Sequence, residues 1–246
     1  MTTALITNDD GIDSPGLHDL ARQAIAAGLD VAIAAPSAQS SGSSASIIGA
    51  DAEGRVPFRR RELEDFDIPV FAVDGAPALI SLLAAHGAFG FVPDIVFSGV
   101  NRGANVGHAI LHSGTVGAAL TAGVNGARGL AVSLDVGMSP AEYHWGASAT
   151  HVLRLIPLLL DRPAGTVFNL NVPNVAEPRE LREGPLAAFG IVQTITAQSE
   201  EENVRLTVSD TPSDQDEGSD AALLQAGFAT VTNITSVMEA RSSALG

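Results

Sequence analysis

The sequence contains neither cysteine nor lysine, since all 13 of its basic residues are arginine. The lack of cysteine excludes disulfide bonds and thiolate nucleophiles. The lack of lysine excludes Schiff-base chemistry and the phosphate-binding lysine of P-loop nucleoside triphosphatases.

Positive charge is also scarce. The chain has 28 acidic residues against 13 basic ones and a formal net charge of −15, which would repel a polyanion, so we expect no nucleic-acid polymer as a partner. No apolar run approaches the roughly 20 residues that span a bilayer, and the N-terminus lacks the basic region and apolar core of a signal peptide. We therefore expect a cytoplasmic protein with no membrane partner.

Apolar segments with the spacing of buried strands alternate with helical patterns along most of the 246 residues. Such alternation predicts an α/β fold with a Rossmann-like, doubly wound and mostly parallel sheet. The predicted strands are residues 4–6, 31–36, 70–73, 94–98, 130–134 and 166–171. The predicted helices are residues 15–28, 77–85, 113–123 and 142–160.

The pattern changes from Pro185 onward. The segments there predict a β-hairpin of residues 191–196 and 204–208, an acidic loop 210–220, a short helix 221–226 and a late strand 228–234. We accordingly divide the chain into a catalytic core, 1–184, and a C-terminal hairpin with a closing segment, 185–246. A lone two-stranded hairpin is marginal in water. We expect it to pack on a second subunit, and folding back on its own core is the alternative.

The first turn, Asn8-Asp9-Asp10-Gly11, directly follows the first predicted strand. Two adjacent carboxylates repel each other and are costly to desolvate unless a cation lies beside them. Oxygen-only ligands suit Mg²⁺ or Mn²⁺. These residues also favour ordinary turns, which is the alternative. Because ligands bind at the carboxyl edge of open α/β sheets, the position favours a metal site.

Three later stretches add possible ligand contacts. The serine-rich segment 37–46 is typical of a flexible linker, but its position after a strand also suits anion binding. The loop 98–107 is rich in glycine and asparagine, which allows close approach of the backbone to a ligand. The helix that begins near Ser113 and Thr115 offers backbone N–H groups and hydroxyls to a phosphate. Ordinary capping by Ser113 is compatible with that interpretation.

Together, the segments 6–12, 41–42, 98–107 and 113–116 resemble the SurE family of survival-protein nucleotidases. The motifs follow the family's order with compatible spacing, and residues 220–232 resemble its closing segment. The resemblance implies a Rossmann-like core, one divalent metal ion per subunit, and hydrolysis of nucleoside monophosphates at the 5′ or 3′ position. It also implies a homodimer or homotetramer that assembles through a C-terminal extension.

The resemblance assigns roles to particular residues. It implies metal ligation by Asp9, Asp10, Ser41 and Asn101, with Ser40 as the alternative to Ser41. It implies catalysis by Asp9, Asp10 and Asn101. It implies phosphate binding by Asn105, Ser113, Gly114 and Thr115. Water is the expected nucleophile, with Asp9 as the first choice to accept its proton, and a covalent aspartyl phosphate is the alternative.

Several positions depart from the family pattern. Ala76 stands where the family usually has threonine, and Arg102 stands where a small residue is common. His108 and His112 flank the same region, although a lone histidine is more often a packing residue than a catalyst. The loop after Asp135 shows no obvious aromatic set for stacking a base. These departures leave two alternatives to a nucleotidase, namely a phosphatase for a non-nucleotide phosphoester and a metal- and phosphate-binding protein without turnover.

Overall fold

The computed structural model describes residues 1–49, 51, 53–137, 139–188, 194–200, 203–209 and 217–238, with the backbone alone for 194–200 and 203–209. The strands are β1 (Thr3–Thr7), β2 (Asp30–Pro36), β3 (Phe58–Arg60), β4 (Val70–Val73), β5 (Ile95–Arg102), β6 (Arg128–Asp135), β7 (Val167–Pro173), β8 (Arg179–Glu183), β9 (Thr194–Glu200), β10 (Asn203–Ser209) and β11 (Phe228–Ile234). The α-helices are α1 (Pro15–Ala26), α2 (Pro77–Ala85), α3 (Gly114–Val124), α4 (Ala149–Leu160) and α5 (Asp220–Gln225).

Nine strands form the main sheet in the order β3-β4-β2-β1-β5-β6-β7-β11-β8. The six strands from β4 to β7 in this order are parallel. The strand β3 at one edge and the strand β11 beyond β7 run antiparallel to their neighbours. The strand order reverses between β1 and β5, which is where ligands bind in folds of this type. The prediction of a doubly wound, mostly parallel sheet is confirmed.

Alternate residues of β1 show how the two faces of the sheet are covered. Ala4 and Ile6 pack in the core that contains the buried residues of α1 and α4, whereas Leu5 packs in the core formed with α2. All three residues are fully buried. A strand covered on both faces needs an uninterrupted apolar run, which explains why β1 could be recognised from its sequence. The sheet thereby presents its carboxyl edge, and not a face, to ligands.

The helix α4 begins at Ala149, so the prediction that it starts at Glu142 is wrong. A 3-10 turn, Trp145–Ser148, precedes it. The side chain of Asn174 holds the segment before this turn, because it accepts from the backbone N–H of His144 and donates to the carbonyl oxygen of Glu142, both at 2.8 Å. These contacts come from the end of β7 and are not visible in the local pattern.

The strand β8 was not predicted. Its sequence, Arg-Glu-Leu-Arg-Glu, has mostly charged and exposed side chains and so lacks the apolar alternation of a half-buried strand. The guanidinium groups of Arg179 and Arg182 lie 3.7 and 3.6 Å from the ring centroid of Phe228 on the neighbouring strand β11. Cation–π contacts of this kind hold a charged strand on the edge of the sheet.

The C-terminal part of the chain contributes to two sheets. Strands β9 and β10 pair antiparallel in a separate two-stranded sheet, as the predicted hairpin requires. Its acidic turn at 201–202 and most of the predicted acidic loop, 210–216, lie outside the described residues. The strand β11 belongs to the main sheet. The division of the chain at residue 184 therefore stays a prediction. No helix in the part of the chain that the structure describes is long and apolar enough to cross a membrane.

The first residue of α5, Asp220, connects this closing segment to the rest of the molecule. Its buried carboxylate accepts hydrogen bonds from the backbone N–H groups of Gly107 at 2.9 Å, Ala187 at 2.8 Å and Ala221 at 2.8 Å. Gly107 begins the 3-10 turn that leads to α3. A residue near the C-terminus therefore holds the loop between β5 and α3.

Candidate active site

The turn after β1 is fixed by Asn8. Its side-chain amide donates to the carbonyl oxygen of Gly11 at 3.0 Å, and its side-chain oxygen accepts from the N–H of Gly11 at 3.1 Å. Gly11 has a φ of 101°, a conformation that favours glycine. The two bonds close the turn on itself and hold Asp9 and Asp10 between them.

Asp9 lies at the bottom of the site with an exposed fraction of 6%. Its Oδ1 accepts a hydrogen bond from the hydroxyl of Thr115 at 2.7 Å. Burial raises the pKa of Asp9 and the neighbouring charge of Asp10 raises it further, whereas the Thr115 hydrogen bond acts in the opposite direction. A negative charge at Asp9 is therefore costly in the absence of a cation.

Asp10 lies in a more open position. It is partly exposed, and its Oδ2 accepts from the backbone N–H of Arg102 at 3.0 Å, which joins the acidic turn to the end of β5. Asp10 and Arg102 line a cleft of about 180 Å³ together with Trp145. The two adjacent carboxylates thus reach different neighbours, one at the start of α3 and one at the end of β5.

The start of α3 approaches Asp9 closely. Ser113 caps the helix, because its Oγ accepts from the N–H of Val116 at 3.1 Å. A Cβ atom on Gly114 would lie 2.9 Å from Oδ2 of Asp9 and 2.5 Å from Oγ of Ser43. Only glycine fits at that position without displacing its neighbours. Gly114 and Thr115 thus place the first turn of α3 against the carboxylate of Asp9, and the predicted capping role of Ser113 is confirmed.

Of the two predicted asparagines, Asn101 lies at the end of β5 and Asn105 lies in the loop that follows it. Asn101 donates from its side-chain amide to the carbonyl oxygen of Gly103 at 2.7 Å, and its amide oxygen accepts no hydrogen bond within the described chain. Asn105 is held by its neighbours on β6 and β7. Its side-chain amide donates to Oγ of Ser133 at 2.8 Å. Its backbone carbonyl oxygen accepts from the side-chain amides of both Asn169 and Asn171, each at 2.8 Å.

Asn169 and Asn171 were not predicted as site residues. Their sequence signal is a pair of amides two positions apart in the otherwise apolar strand β7, which places both on the same face. Asn171 also accepts from the backbone N–H of Asn105 at 2.7 Å. Because buried amides need partners, the pair of asparagines in β7 indicates that a polar group packs on that face of the strand.

Ser41 makes no contact with the other predicted metal ligands among the hydrogen bonds of the described residues. Its side chain is exposed and accepts a hydrogen bond from Gln39 at 2.8 Å. Ser40, the alternative, donates its backbone N–H to the carbonyl oxygen of Asp9 at 2.7 Å. The serine hydroxyl nearest to the position of a Gly114 Cβ is that of Ser43. Metal ligation by Ser41 stays a prediction.

Two aromatic residues near Asp10 were missed. The chain has one tryptophan and one tyrosine, and their rings stack with centroids 5.2 Å apart and an angle of 5° between the planes. Trp145 also packs against Gly16 at the start of α1, where a Cβ would lie 2.9 Å from its ring.

His108 and His112 are exposed in the turn before α3. Neither makes a hydrogen bond with Asp9 or Asp10 in the part of the chain that the structure describes.

Comparison with known proteins tests the family resemblance. The profile of the family described as survival protein SurE matches residues 4–202 of the chain. The chain belongs to the SurE family. The 5′-nucleotidase SurE of Geotalea daltonii is 37% identical over 184 residues, which cover 74% of this chain and 69% of that protein. The 5′-nucleotidase SurE of Symbiobacterium thermophilum is 41% identical over 186 residues, which cover 75% and 70%.

The fold agrees with a solved SurE structure. The SurE protein from Aquifex aeolicus superposes with a TM-score of 0.76, covers 95% of this chain with 93% of its own, and has 24% identical residues. Both the family and the SurE-like fold that the motifs predicted are therefore confirmed. The SurE motifs fall on the acidic turn, the loop after β5 and the start of α3, which meet at the carboxyl edge between β1 and β5.

Proposed function

We propose that the chain is a metal-dependent phosphomonoesterase that hydrolyses nucleoside 5′- or 3′-monophosphates to nucleoside and phosphate. The observation that carries this proposal is the contact of Asp9 with the first turn of α3, through Thr115 at 2.7 Å and the close approach of Gly114. A buried carboxylate and an anion-binding helix start at one point suit phosphoryl transfer. Its relatives named 5′-nucleotidase SurE support the assignment to nucleotides.

The residues of the site fit a divalent cation. Asp9 and Asp10 are adjacent, and the amide oxygen of Asn101 at the end of β5 accepts no hydrogen bond from any residue that the structure describes. The described residues contain no group of three or more histidine, cysteine, aspartate and glutamate side chains that could hold a metal ion, so a cation beside Asp9 and Asp10 would also need amide or hydroxyl oxygens. Hard oxygen donors of this kind suit Mg²⁺ or Mn²⁺. Asp9, Asp10 and Asn101 would hold one such ion per subunit, with Ser41 as the further predicted ligand.

When bound, the cation supplies Lewis acidity that activates water and offsets negative charge on the phosphoryl group. The chain itself would provide the phosphate cradle, through the hydroxyl of Ser113, the backbone of Gly114 and the side chain of Asn105. The hydroxyl of Thr115 donates to Asp9 and would have to leave that carboxylate to bind phosphate directly. Asp9 has its Oδ1 occupied by Thr115, which leaves Oδ2 nearest to Gly114. That oxygen is placed either to accept a proton from the attacking water or to attack phosphorus directly.

The proposed activity is tested with a panel of phosphoesters assayed with Mg²⁺, with Mn²⁺ and with a chelator. Metal-dependent phosphate release from nucleoside monophosphates is expected. A preference for a non-nucleotide phosphoester would contradict the proposed substrate class. Metal binding without any turnover would indicate a binding protein and contradict the assignment as an enzyme. The stereochemical course at a chiral phosphoryl group separates the two routes. A single in-line attack by water inverts the configuration at phosphorus, whereas an aspartyl phosphate requires two displacements and gives net retention.

We further infer a homodimer or homotetramer, held in part by the segment 185–246. The two-stranded sheet of β9 and β10 is separate from the main sheet, and such a hairpin gains stability when it packs on another surface. Deletion of the hairpin 191–209 alone, which keeps β8 and β11 in the main sheet, should give smaller species in sedimentation velocity. A full-length chain that sediments as a stable monomer at micromolar concentration would contradict this inference. Location in the cytoplasm likewise stays a prediction.

A further inference from the structure

The loop that follows β5 is held by two asparagines of β7. Oδ1 of Asn171 accepts from the backbone N–H of Asn105 at 2.7 Å, and Nδ2 of Asn171 donates to the backbone carbonyl oxygen of Asn105 at 2.8 Å. Nδ2 of Asn169 donates to the same carbonyl oxygen at 2.8 Å. A carbonyl oxygen has two lone pairs, and a backbone N–H has one hydrogen. The side chains of a single strand therefore satisfy both backbone polar groups of Asn105.

Both asparagines occupy positions where a strand covered on both faces normally carries apolar side chains. Asn169 and Asn171 are buried, and Val167, on the same face of β7, packs with residues of α3. The intervening residues Phe168 and Leu170 face the other core. Burying an amide is costly unless it is hydrogen-bonded. Because the bonds of both side chains go to Asn105, their role lies in the loop.

The register of the sheet places this contact relative to the proposed metal site. Asn101 of β5 is paired with Ser133 of β6, and Ser133 is paired with Asn171 of β7. Three neighbouring strands thus carry these residues at one level of the sheet. Asn105 is close to Asn101 in the chain, but it bonds to β7, which lies two strand spacings, or about 10 Å, from β5. The loop therefore crosses β6 and is attached to a fixed point of the sheet.

The side chain of Asn105 is fixed as well. Its Nδ2 donates to Oγ of Ser133 at 2.8 Å, and Ser133 is fully buried. An amide nitrogen carries two hydrogens, and this is the only hydrogen bond that Nδ2 makes within the part of the chain that the structure describes. In the proposed phosphate site, the second hydrogen is the one that the amide would donate to a phosphoryl oxygen. The direction of that donor depends on the bonds that hold Asn105.

We propose that Asn171 and Asn169 are positioning residues for phosphate binding, which hold Asn105 at a fixed place relative to Asn101. This inference rests on the proposed function and adds two residues that touch neither the metal nor the substrate. Asn171 makes two of the three bonds to the backbone of Asn105. Asn169 makes one, and its Oδ1 has no partner among the described residues, so Asn171 has the larger effect. The competing interpretation is that the pair serves only the stability of the loop.

The first test measures the Kd of inorganic phosphate by titration calorimetry in the presence of Mn²⁺. Asn171→Ala should raise this Kd, and the KM for nucleoside monophosphates, about tenfold, the loss expected from two hydrogen bonds. The Kd of Mn²⁺ should not change, since no proposed metal ligand is altered. Thr230→Val is the matched control, because Thr230 is buried, is paired with Asn171 in the sheet and has a hydroxyl without a described partner. A wild-type Kd of phosphate in Asn171→Ala would overturn the proposal.

The second test separates positioning from stability by a double-mutant cycle. Asn105→Ala removes the side chain that would contact phosphate but keeps the backbone groups that Asn171 binds. In this background, Asn171→Ala should change the Kd of phosphate by less than about twofold, because the group that it positions is absent. An equal increase of the Kd in both backgrounds would show that Asn171 acts through general loosening of the site. That result would overturn the positioning role.

The third test uses Asn169→Ala, which keeps both bonds of Asn171 and removes one donor. It should raise the Kd of phosphate about threefold, and an unchanged Kd would remove Asn169 from the proposal. Thermal unfolding checks the fold of each variant, and the cycle of Asn169→Ala with Asn105→Ala decides the matter if Asn171→Ala does not fold. Wild-type protein that binds phosphate but hydrolyses no phosphoester would refute the proposed function and leave these tests in force. Wild-type protein that binds no phosphate would overturn the positioning role.

Discussion

Asp9 and Asp10 are neighbours in the chain but differ in nearly every physical respect. Asp9 is almost fully buried, is bonded to the side chain of Thr115, and has a pKa raised chiefly by burial. Asp10 is partly exposed and is bonded to a backbone N–H of Arg102. The pair therefore joins two halves of the site, one on α3 and one on β5. Two like charges at adjacent positions acquire different properties because the fold surrounds them differently.

The largest expected effects come from the two carboxylates, and Asp10 is the simpler of the two to test. Asp10→Asn should lower activity at least about a hundredfold, because it removes a charge from the metal site and keeps an acceptor for the Arg102 N–H. Phosphate release and circular dichroism measure activity and folding. Asp13→Asn is the matched control, since Asp13 is an exposed residue paired with Arg61 at 3.0 Å. Full activity in Asp10→Asn would remove Asp10 from the metal site.

The contact on the Asp9 side is tested at Thr115. Thr115→Val removes the hydroxyl with little change in shape and should cost about 1–3 kcal/mol in kcat/KM, since a buried carboxylate oxygen loses its donor. Thr115→Ser should restore most of the activity. Wild-type kinetics in the valine variant would show that this hydrogen bond serves neither phosphate binding nor the position of Asp9.

The charge of Asp9 should have opposite effects on activity and on stability. Asp9→Asn should abolish metal-dependent activity and raise the melting temperature of the metal-free protein by about 2–4 °C, the scale of a modest stability change in a chain of this size. Because burial raises the pKa of Asp9, protonation favours the folded state below that pKa and the benefit is lost as pH rises through it.

The difference in melting temperature between metal-free Asp9→Asn and metal-free wild type should therefore grow as pH rises through the raised pKa of Asp9. It should shrink as pH falls toward 3.8, the ordinary pKa of an aspartate. Melting curves of both proteins, recorded with a chelator over this pH range, measure the difference in melting temperature. Addition of Mn²⁺ should stabilise wild type more than the variant. A pH-independent difference would mean that charge burial at Asp9 does not destabilise the metal-free protein.

The smallest effect is expected at Arg102. Arg102→Ala retains the backbone N–H that bonds Asp10 and removes only an exposed charge, so KM should rise by no more than about fivefold. The effect should decrease at high salt, which screens exposed charges. Comparison of several phosphoesters shows whether this charge selects among substrates. An equal change for all of them would leave Arg102 with a general electrostatic role.

Local pattern was sufficient where the determining contacts are local. The buried strands before Asp9 and before Asn101 are apolar runs, and the cap at Ser113 bonds a residue three positions away. The strand β8 was missed because its side chains are charged and its pairing partner, β11, lies about 50 residues later. The true start of α4 depends on Asn174, which is likewise remote in sequence.

The candidate site shows the same limit. The acidic turn was recognised because both carboxylates and the glycine that closes the turn are consecutive. Asn169, Asn171 and Ser43 were missed because their roles follow from contacts with Asn105 and Gly114 on other elements. Trp145 lines the cleft beside Asp10 and stacks on Tyr143, and both residues lie before the true start of α4, in a segment that the pattern predicted to be helical.

The carboxylate of Asp220 has a consequence for the order in which the molecule is made. The chain reaches Gly107 long before Asp220, since 113 residues separate the two partners of this hydrogen bond. Protein synthesis delivers the N-terminal strands first. The nascent chain can thus pair β1 with β5 while the turn before α3 still lacks its anchor. The final placement of Gly107 must await nearly the whole polypeptide, so that a product terminated before Asp220 would lack one of the contacts that hold the loop opposite the acidic turn.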